Sequence, residues 1–365
     1  MLHRKKKEPA FLEISRELLN LIRQGEWQYG DKVPSERTLA EQRKISRGTA
    51  RLALQELEKG GYIERQGTRH SIVVSGNRQD TVRLVFLSDA TEISPDTMSY
   101  SNWTLAQDYF CGFLNACADC GGQLVFRSVP RIKSVSVMEK LVRELVNNCD
   151  GVLMTNSMPE TAEYLIREKL PVALISLNNI AGASTYTYDP RKICRQAARL
   201  LLDNGYRKCG LIVADGSRSA IEYQEKISGF THQFADGQLE ILPEYNFEIP
   251  ATEFDEVCRI LDQKLPWDAA VLPDVFLTFS PVYSLAFYRL AVERNWHFPD
   301  DCAILGYGNK PDEMLAAIAK LTYISLPYYE IGYKAAAEMI ESVRNGQKLP
   351  ELTYLDAQIV NGQTI

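Results

Sequence analysis

Residues 34–58 read PSERTLAEQRKISRGTARLALQELE. Ser35 suits the N-cap of a first short helix that buries Leu39 and Ala40, and Ser46 suits the N-cap of a second. From there Ala50, Ala53, Leu54 and Leu57 take the i, i+3, i+4 and i+7 places of one apolar face. Two helices joined by a short turn, the second opening on Ser-Arg-Gly-Thr, make a helix-turn-helix. With the apolar stripe buried, Arg47 and Arg51 fall one turn apart on the other side, near the positive end of the helix dipole, with Thr49 between them. Backbone N–H groups at such an end donate to phosphate oxygens, and an arginine in the major groove grips guanine O6 and N7 with two hydrogen bonds. Gly48 has no side chain to hold the helix start away from DNA. The competing assignment makes these arginines a solvated face paired with Glu36, Glu41 and Glu56.

On the N-terminal side, Phe11, Ile14, Leu18 and Ile22 recur at helical spacing between Pro9 and Gly25. On the C-terminal side, Gly60-Gly61 is followed by YIERQ and HSIVV around GTR. This reads as a two-stranded wing whose Gly67, Thr68 and Arg69 touch an adjacent groove or the phosphate backbone. Charge divides in the same place. Residues 1–80 hold 16 Lys+Arg against 11 Asp+Glu, and the remaining residues hold 25 against 36. A basic head on an acidic body predicts a polyanion-binding module joined to one that binds no polyanion.

The head resembles the GntR family of winged-helix regulators, whose motifs appear here as VPSERTLA, SRGTARLALQEL and GYI. The resemblance implies that Arg37, Arg47, Thr49 and Arg51 contact operator DNA together with the wing, and Ser35, Ser46 and Gly48 belong to the same expected surface. The wing tip departs from the family pattern, G-x-G-T-x-V being replaced by GTRHSIV.

At 365 residues the chain is long enough for more than one core. SGNRQDT suits a linker, and the predicted division is a winged-helix domain over 1–75, a linker over 76–81 and a ligand-binding part over 82–365. In the last part β-prone runs such as VRLVFLS, DGVLMT, KCGLIVA and CAILGYG alternate with helical patterns. Repeated βα units predict an α/β fold of two doubly wound parallel-sheet lobes, with a ligand at the carboxyl ends of the strands. The expected partition is 82–180 plus 308–325 for the first lobe and 181–307 plus 326–365 for the second.

Several phrases resemble the LacI-type sensor domain, which shares its fold with periplasmic sugar-binding proteins: DGVLMT with LPVALISLNN, YDPRKICRQAARLLLDNGYRKCGLIVA, KISGF, and LTYISLPYYEIGYKAAAEMI. A GntR-type head on a LacI-type sensor is the layout of arabinose-responsive repressors. The resemblance implies a homodimer on double-stranded operator DNA, released by a sugar or sugar derivative held between the lobes. Lys226 stands where that family has an effector-binding arginine, and Ser280-Pro281 replaces an Asn-Asp pair, so the effector is expected to depart from a common monosaccharide.

Strand ends nominate Asp89, Arg127, Asn156, Asp189, Asp215, Lys226 and Ser280 as cleft residues. Asp189 before Pro190 equally suits a helix N-cap, Asp215 a turn, and Arg127 an exposed strand-end charge. Trp103, Trp267 and Trp296 are placed in packing rather than on a sugar face.

No GxGxxG follows the first strand, and no P-loop, HExxH or GxSxG occurs, so an enzyme using the lobes is the weaker alternative and no cofactor or metal is expected. MLHRKKKEPA has no apolar signal core behind it, so the expected location is the cytoplasm, with no membrane association, and a solute-binding transport protein is disfavoured. The eight cysteines, CxxC at 117–120 included, are expected to be reduced core thiols.

Overall fold

The computed structural model describes residues 9–23, 26–27, 30–66, 70–73, 81–89, 100–129, 134–155, 158–250, 253–267, 272–308 and 320–365, with backbone alone at 23, 66 and 100–107. The expected wing tip Gly67, Thr68 and Arg69, the cleft candidate Asn156, and the Trp103 side chain lie outside the described residues.

The head consists of α1 (Ala10–Arg23), β1 (Lys32–Val33), α2 (Glu36–Arg43), α3 (Arg47–Lys59), β2 (Ile63–Gln66) and β3 (His70–Val73). The stripe read from the sequence is the stripe that packs: Leu18, Ile22, Leu39, Ala50 and Leu57 share one core with Val33, Tyr62, Ile63 and Val73. Strand β3 pairs antiparallel with β2 and, on its other side, with β1, which makes the wing a three-stranded sheet.

The body begins with β4 (Val82–Asp89), α4 (Tyr100–Asp119), β5 (Gly122–Val129), α5 (Val135–Asn148), β6 (Gly151–Thr155), α6 (Pro159–Arg167), β7 (Val172–Ile175) and β8 (Ser184–Tyr188). It continues with α7 (Pro190–Asp203), β9 (Lys208–Ala214), α8 (Ile221–Phe230), β10 (Glu240–Ile249), α9 (Phe254–Lys264), β11 (Val275–Thr278), α10 (Pro281–Glu293), β12 (Ala303–Gly308) and β13 (Thr322–Ser325). The chain ends in α11 (Tyr328–Asn345), β14 (Leu352–Leu355) and β15 (Gln358–Val360). Two six-stranded sheets result, in the orders β14-β8-β7-β6-β4-β5 and β10-β9-β11-β12-β13-β15. All neighbours are parallel except β13 and β15. The central strands are buried along their length, as βαβ crossovers covering both faces require.

The expected lobe boundaries need correction. Strand β12 pairs with β13 in register Leu305↔Thr322 to Gly308↔Ser325, so the described ends of the span 308–325, Gly308 and Thr322–Ser325, belong to the second sheet rather than the first. Strand β8 pairs with β7 and β14 with β8, which puts 184–188 and 352–355 in the first sheet. Helix α11 also packs on the first lobe, against α4. At that crossing the two backbones touch: a Cβ on Gly112 would lie 2.2 Å from Tyr329 O, and one on Gly332 2.1 Å from Tyr109 O. Among the described residues the chain therefore crosses between lobes three times, at 188–190, 325–328 and 355–358. Among the described residues no helix is long and apolar enough to cross a membrane.

Candidate nucleic-acid interface and ligand cleft

The start of α3 is held by its own side chains. Thr49 N donates to Ser46 Oγ at 3.0 Å, and the two hydroxyls lie 2.9 Å apart. Ser35 caps α2 in the same way, accepting from Thr38 N at 3.2 Å. Between the helices Lys44 takes a left-handed conformation, φ 53°, in a three-residue turn, Lys44–Ser46. Ser35, Ser46 and Thr49 thus set the geometry of the turn, and Arg47, Gly48 and Arg51 carry its exposed surface. A Cβ at Gly48 would meet only Ser46 Oγ, at 3.7 Å, so the head itself does not demand glycine there and the space it leaves faces outward.

The charges are arranged against helix stability. The first turn of α3 holds no acidic residue and begins with Arg47, a cation at the positive end of the macrodipole. Among the described residues neither Arg47 nor Arg51 has an acidic partner within 4 Å, so the proposed solvated pairing does not form for them. Arg37 does pair with Glu41, at 3.3 Å, with both side chains about 70 % exposed (70 % and 68 %). Such a pair is worth only ~0.3–0.5 kcal/mol and yields readily to a phosphate. Glu56 pairs instead with Lys59.

Arg37, Arg47 and Arg51 line one concavity of about 610 Å³ between α3 and the wing. Arg65 of β2 and His70 of β3 complete its far wall, with Glu36 and Glu58 also lining it. The sequence reading missed Arg65 and His70. Their signal was present, because a β-hairpin around GTR places flanking residues next to each other, here as Arg65↔Ser71 and Gln66↔His70.

In the body, the nominated residues separate. Asp89 is buried at the carboxyl end of β4, and Ser280 is half-buried after β11. Asp215 is exposed in the turn with Gly216 after β9. Asp189 is the N-cap of α7, its Oδ1 accepting from Lys192 N at 2.8 Å. Arg127 is corrected: its guanidinium donates to both Glu144 oxygens, at 2.9 and 3.1 Å, which ties edge strand β5 to α5 rather than serving a cleft. That bond holds the Glu144 carboxyl below its usual range. Trp267 and Trp296 pack in the second lobe, 5.3 Å apart and beside Phe287.

Lys226 lies where the two lobes meet. Its ammonium is 2.7 Å from Glu222 Oε1 and 3.7 Å from the centre of the Tyr307 ring, with Phe279 at 5.0 Å. Tyr188 Oη, from the last residue of β8 in the first lobe, donates to Glu222 at 2.6 Å and accepts from Tyr307 Oη at 2.9 Å. Tyr328, at the start of α11, stands edge-on to Tyr188. Burial, with nearby acidic groups, pushes the Tyr188, Tyr307 and Tyr328 phenols well above their usual value, so they stay neutral donors. Burial also raises the Glu222 carboxyl, but the Lys226 charge and the hydrogen bonds from Lys226 and Tyr188 outweigh it and leave the group below its ordinary value. The Glu222 carboxylate is therefore charged at neutral pH. Sequence reasoning singled out Lys226 but not Glu222 or the three tyrosines.

All eight cysteines are free; six are buried, and Cys111 and Cys120 are half-buried. Burial pushes Cys149 and Cys302 up to about 12. Burial and then neighbouring Cys120 raise Cys117 to about 11.

Known proteins match both parts. The gntR family of bacterial regulatory proteins matches residues 11–73, and the periplasmic binding protein-like domain matches residues 198–365. Over its length the chain is similar to the arabinose metabolism transcriptional repressor of Geobacillus stearothermophilus, 23 % identical over 382 residues that cover 98 % of each protein. A putative LacI transcriptional regulator from Bacillus cereus subsp. cytotoxis superposes with a TM-score of 0.59, at 16 % identity, over 78 % of this chain and 98 % of the other. The transcriptional regulator CelR in complex with cellobiose gives a TM-score of 0.54 at 18 % identity, over 91 % of this chain and 100 % of that one. At these identities the solved structures establish the fold. The chain carries a GntR-family regulatory domain followed by a periplasmic-binding-protein-like domain.

Proposed function

We propose that the chain is a sequence-specific DNA-binding transcription regulator, a repressor whose hold on its operator is set by a sugar or sugar derivative bound between the lobes. The observation that carries this reading is the Ser46-capped start of α3, with Arg47 and Arg51 without an acidic partner among the described residues, beside a concavity open to solvent. An arginine placed against its own helix dipole gains a counter-charge from a phosphate or paired acceptors from a guanine edge. The names of the relatives support the effector class: one governs arabinose metabolism and another holds cellobiose. The effector residues on this reading are Asp89, Asp215 and Ser280, at the carboxyl ends of β4, β9 and β11, and the Lys226–Glu222 pair on α8.

The regulator acts in the cytoplasm as a homodimer, because one head reads one half-site and twofold protein symmetry matches a pseudo-palindromic operator. Exposed Leu114, Val125 and Phe126 on α4 and edge strand β5 support self-association of the first lobe.

The test starts from duplexes selected from a random library by the full-length protein. Arg47→Ala or Arg51→Ala is expected to lower affinity by roughly 5- to 150-fold per half-site, equivalent to ~1–3 kcal/mol, and to relax base preference. Unchanged gel-shift titrations remove these residues from the interface, and failure to select any duplex overturns the reading. A thermal-shift screen against sugars and sugar phosphates identifies the effector class, because a ligand of the native state raises its melting temperature.

A further inference from the structure

The head and the body are joined by more than the chain between Val73 and Val82. Tyr62 belongs to the head. Its ring is buried, it lies against Gly60, where a Cβ would come within 2.4 Å of the ring, and its N–H closes the end of α3 on Leu57 O at 2.9 Å. The Tyr62 hydroxyl therefore moves with the C-terminal end of the recognition helix. It accepts a hydrogen bond of 3.1 Å from the guanidinium of Arg83, the second residue of β4 and so part of the first lobe. The guanidinium carbon stands 5.9 Å from the Tyr62 ring centre.

Arg83 is itself held from behind. Asp150, just before β6, accepts the Arg83 N–H at 2.8 Å through Oδ2, gives its own N–H to Arg83 O at 2.8 Å, and stands 3.9 Å from Nε. The Arg83 side chain is only 15 % exposed. A planar guanidinium fixed on one side and donating from the other has a direction as well as a length. It sets an angle between α3 and the sheet of the first lobe.

We propose that Arg83 is a positioning residue for operator recognition: acting through Tyr62, it sets the angle at which α3 leaves the body, so that the two heads of a dimer meet their half-sites at one spacing. The proposal rests on the reading of the chain as a dimeric operator-binding regulator. It assigns to residues outside the DNA-facing surface a role in reading the distance between half-sites. Arg83 and Asp150 lie at the ends of β4 and β6 opposite the cleft, so the joint sits on the same strands that end at the ligand side.

The experiment uses the full-length protein and duplexes selected by the wild type, together with versions whose half-sites are moved apart by 1–5 base pairs, the last being about half a helical turn. A duplex with a single half-site is the companion probe. Tyr62→Phe keeps the ring and removes the hydroxyl; Arg83→Gln removes the charge; Arg83→Lys keeps a cation beside Asp150. The wild type is expected to lose roughly tenfold or more in affinity at the half-turn spacing, because its heads then face different sides of the duplex. For Tyr62→Phe and Arg83→Gln, single-half-site affinity stays at the wild-type level while the spacing profile flattens, and Arg83→Lys recovers part of the preference. A wild-type spacing profile in both Tyr62→Phe and Arg83→Gln overturns the proposal, as does loss of single-half-site binding in step with loss of spacing preference. If the wild type selects no duplex, the operator reading fails, an outcome distinct from either of these.

Discussion

Removing the Glu222 carboxylate is the sharpest test of the ion pair that α8 places at the seam between the lobes. The pair spans 2.7 Å, with the Lys226 side chain 8 % exposed and that of Glu222 38 %. At an effective dielectric of ~20 two unit charges at this distance attract by ~6 kcal/mol. Water reaching the partly exposed carboxylate screens that roughly by half, to ~3 kcal/mol. Glu222→Gln keeps the shape and an acceptor for the Tyr188 hydroxyl, and leaves the Lys226 ammonium over the Tyr307 ring, a contact worth up to ~2 kcal/mol when desolvated. A double-mutant cycle with Lys226→Met therefore isolates the ion pair. The expected coupling is ~2–3 kcal/mol, read from urea unfolding of the full-length protein by the fluorescence of Trp267 and Trp296, which pack against α9 and α10 in the lobe that also holds α8. A coupling below ~0.5 kcal/mol, the value of an exposed pair, refutes the assignment of Lys226 and Glu222 to a buried seam. The pH dependence has a fixed sign. The folded-state value of Glu222 is depressed, so its contribution is fully present above the unfolded value of about 4.3 and is lost as pH falls through the folded value. The coupling should hold constant through neutrality and shrink only in acid.

Two further outcomes test local structure. Ser46→Ala removes the acceptor of Thr49 N and should lower the stability of the head by ~1 kcal/mol, seen as an earlier urea transition of Trp27 fluorescence; no shift would mean that the cap bond contributes nothing. Gly332→Ala sets a methyl 2.1 Å from Tyr109 O, forces α4 and α11 apart, and should destabilise the first lobe by ~1–3 kcal/mol, whereas an unchanged melting temperature would contradict the close backbone crossing.

The elements legible in the sequence are those whose determinants are local. Ser46 and Thr49 are three residues apart, Ala50, Ala53 and Leu57 share a face by helical period alone, and both features appear in the structure as read. The strands of the body were legible because βα alternation leaves runs such as β12 buried on both faces. The partition into lobes was not, because sheet membership depends on pairings such as Thr185↔Leu352, between segments whose spacing carries no period. Arg127 failed as a cleft residue for a related reason: a charge near a strand end looks the same from the sequence whether it turns to the ligand side or to Glu144 on the next helix. Glu222 was half legible, as the i, i+4 partner of Lys226, but the hydroxyl that completes its site comes from Tyr188, 34 residues earlier and in the other lobe.

On the proposed reading, the seam lets a small ligand act on a distant head with little free energy. The first two crossings between lobes carry an aromatic residue of the seam itself, Tyr188 before α7 and Tyr328 opening α11. At the third, Asp356 accepts from Lys192 Nζ at 2.7 Å. A change in the angle between lobes must strain or replace Tyr188–Glu222 and Tyr307–Tyr188, because each bond has one end in each lobe. A tenfold change in operator affinity corresponds to about 1.4 kcal/mol of coupling, close to the net worth of one such hydrogen bond. A ligand that takes over a single seam bond in one lobe arrangement and not in the other supplies that difference. On the proposed reading strands β4 and β6 are placed to carry the change, since their carboxyl ends face the ligand side and their opposite ends hold Arg83, braced by Asp150, against Tyr62 of the head.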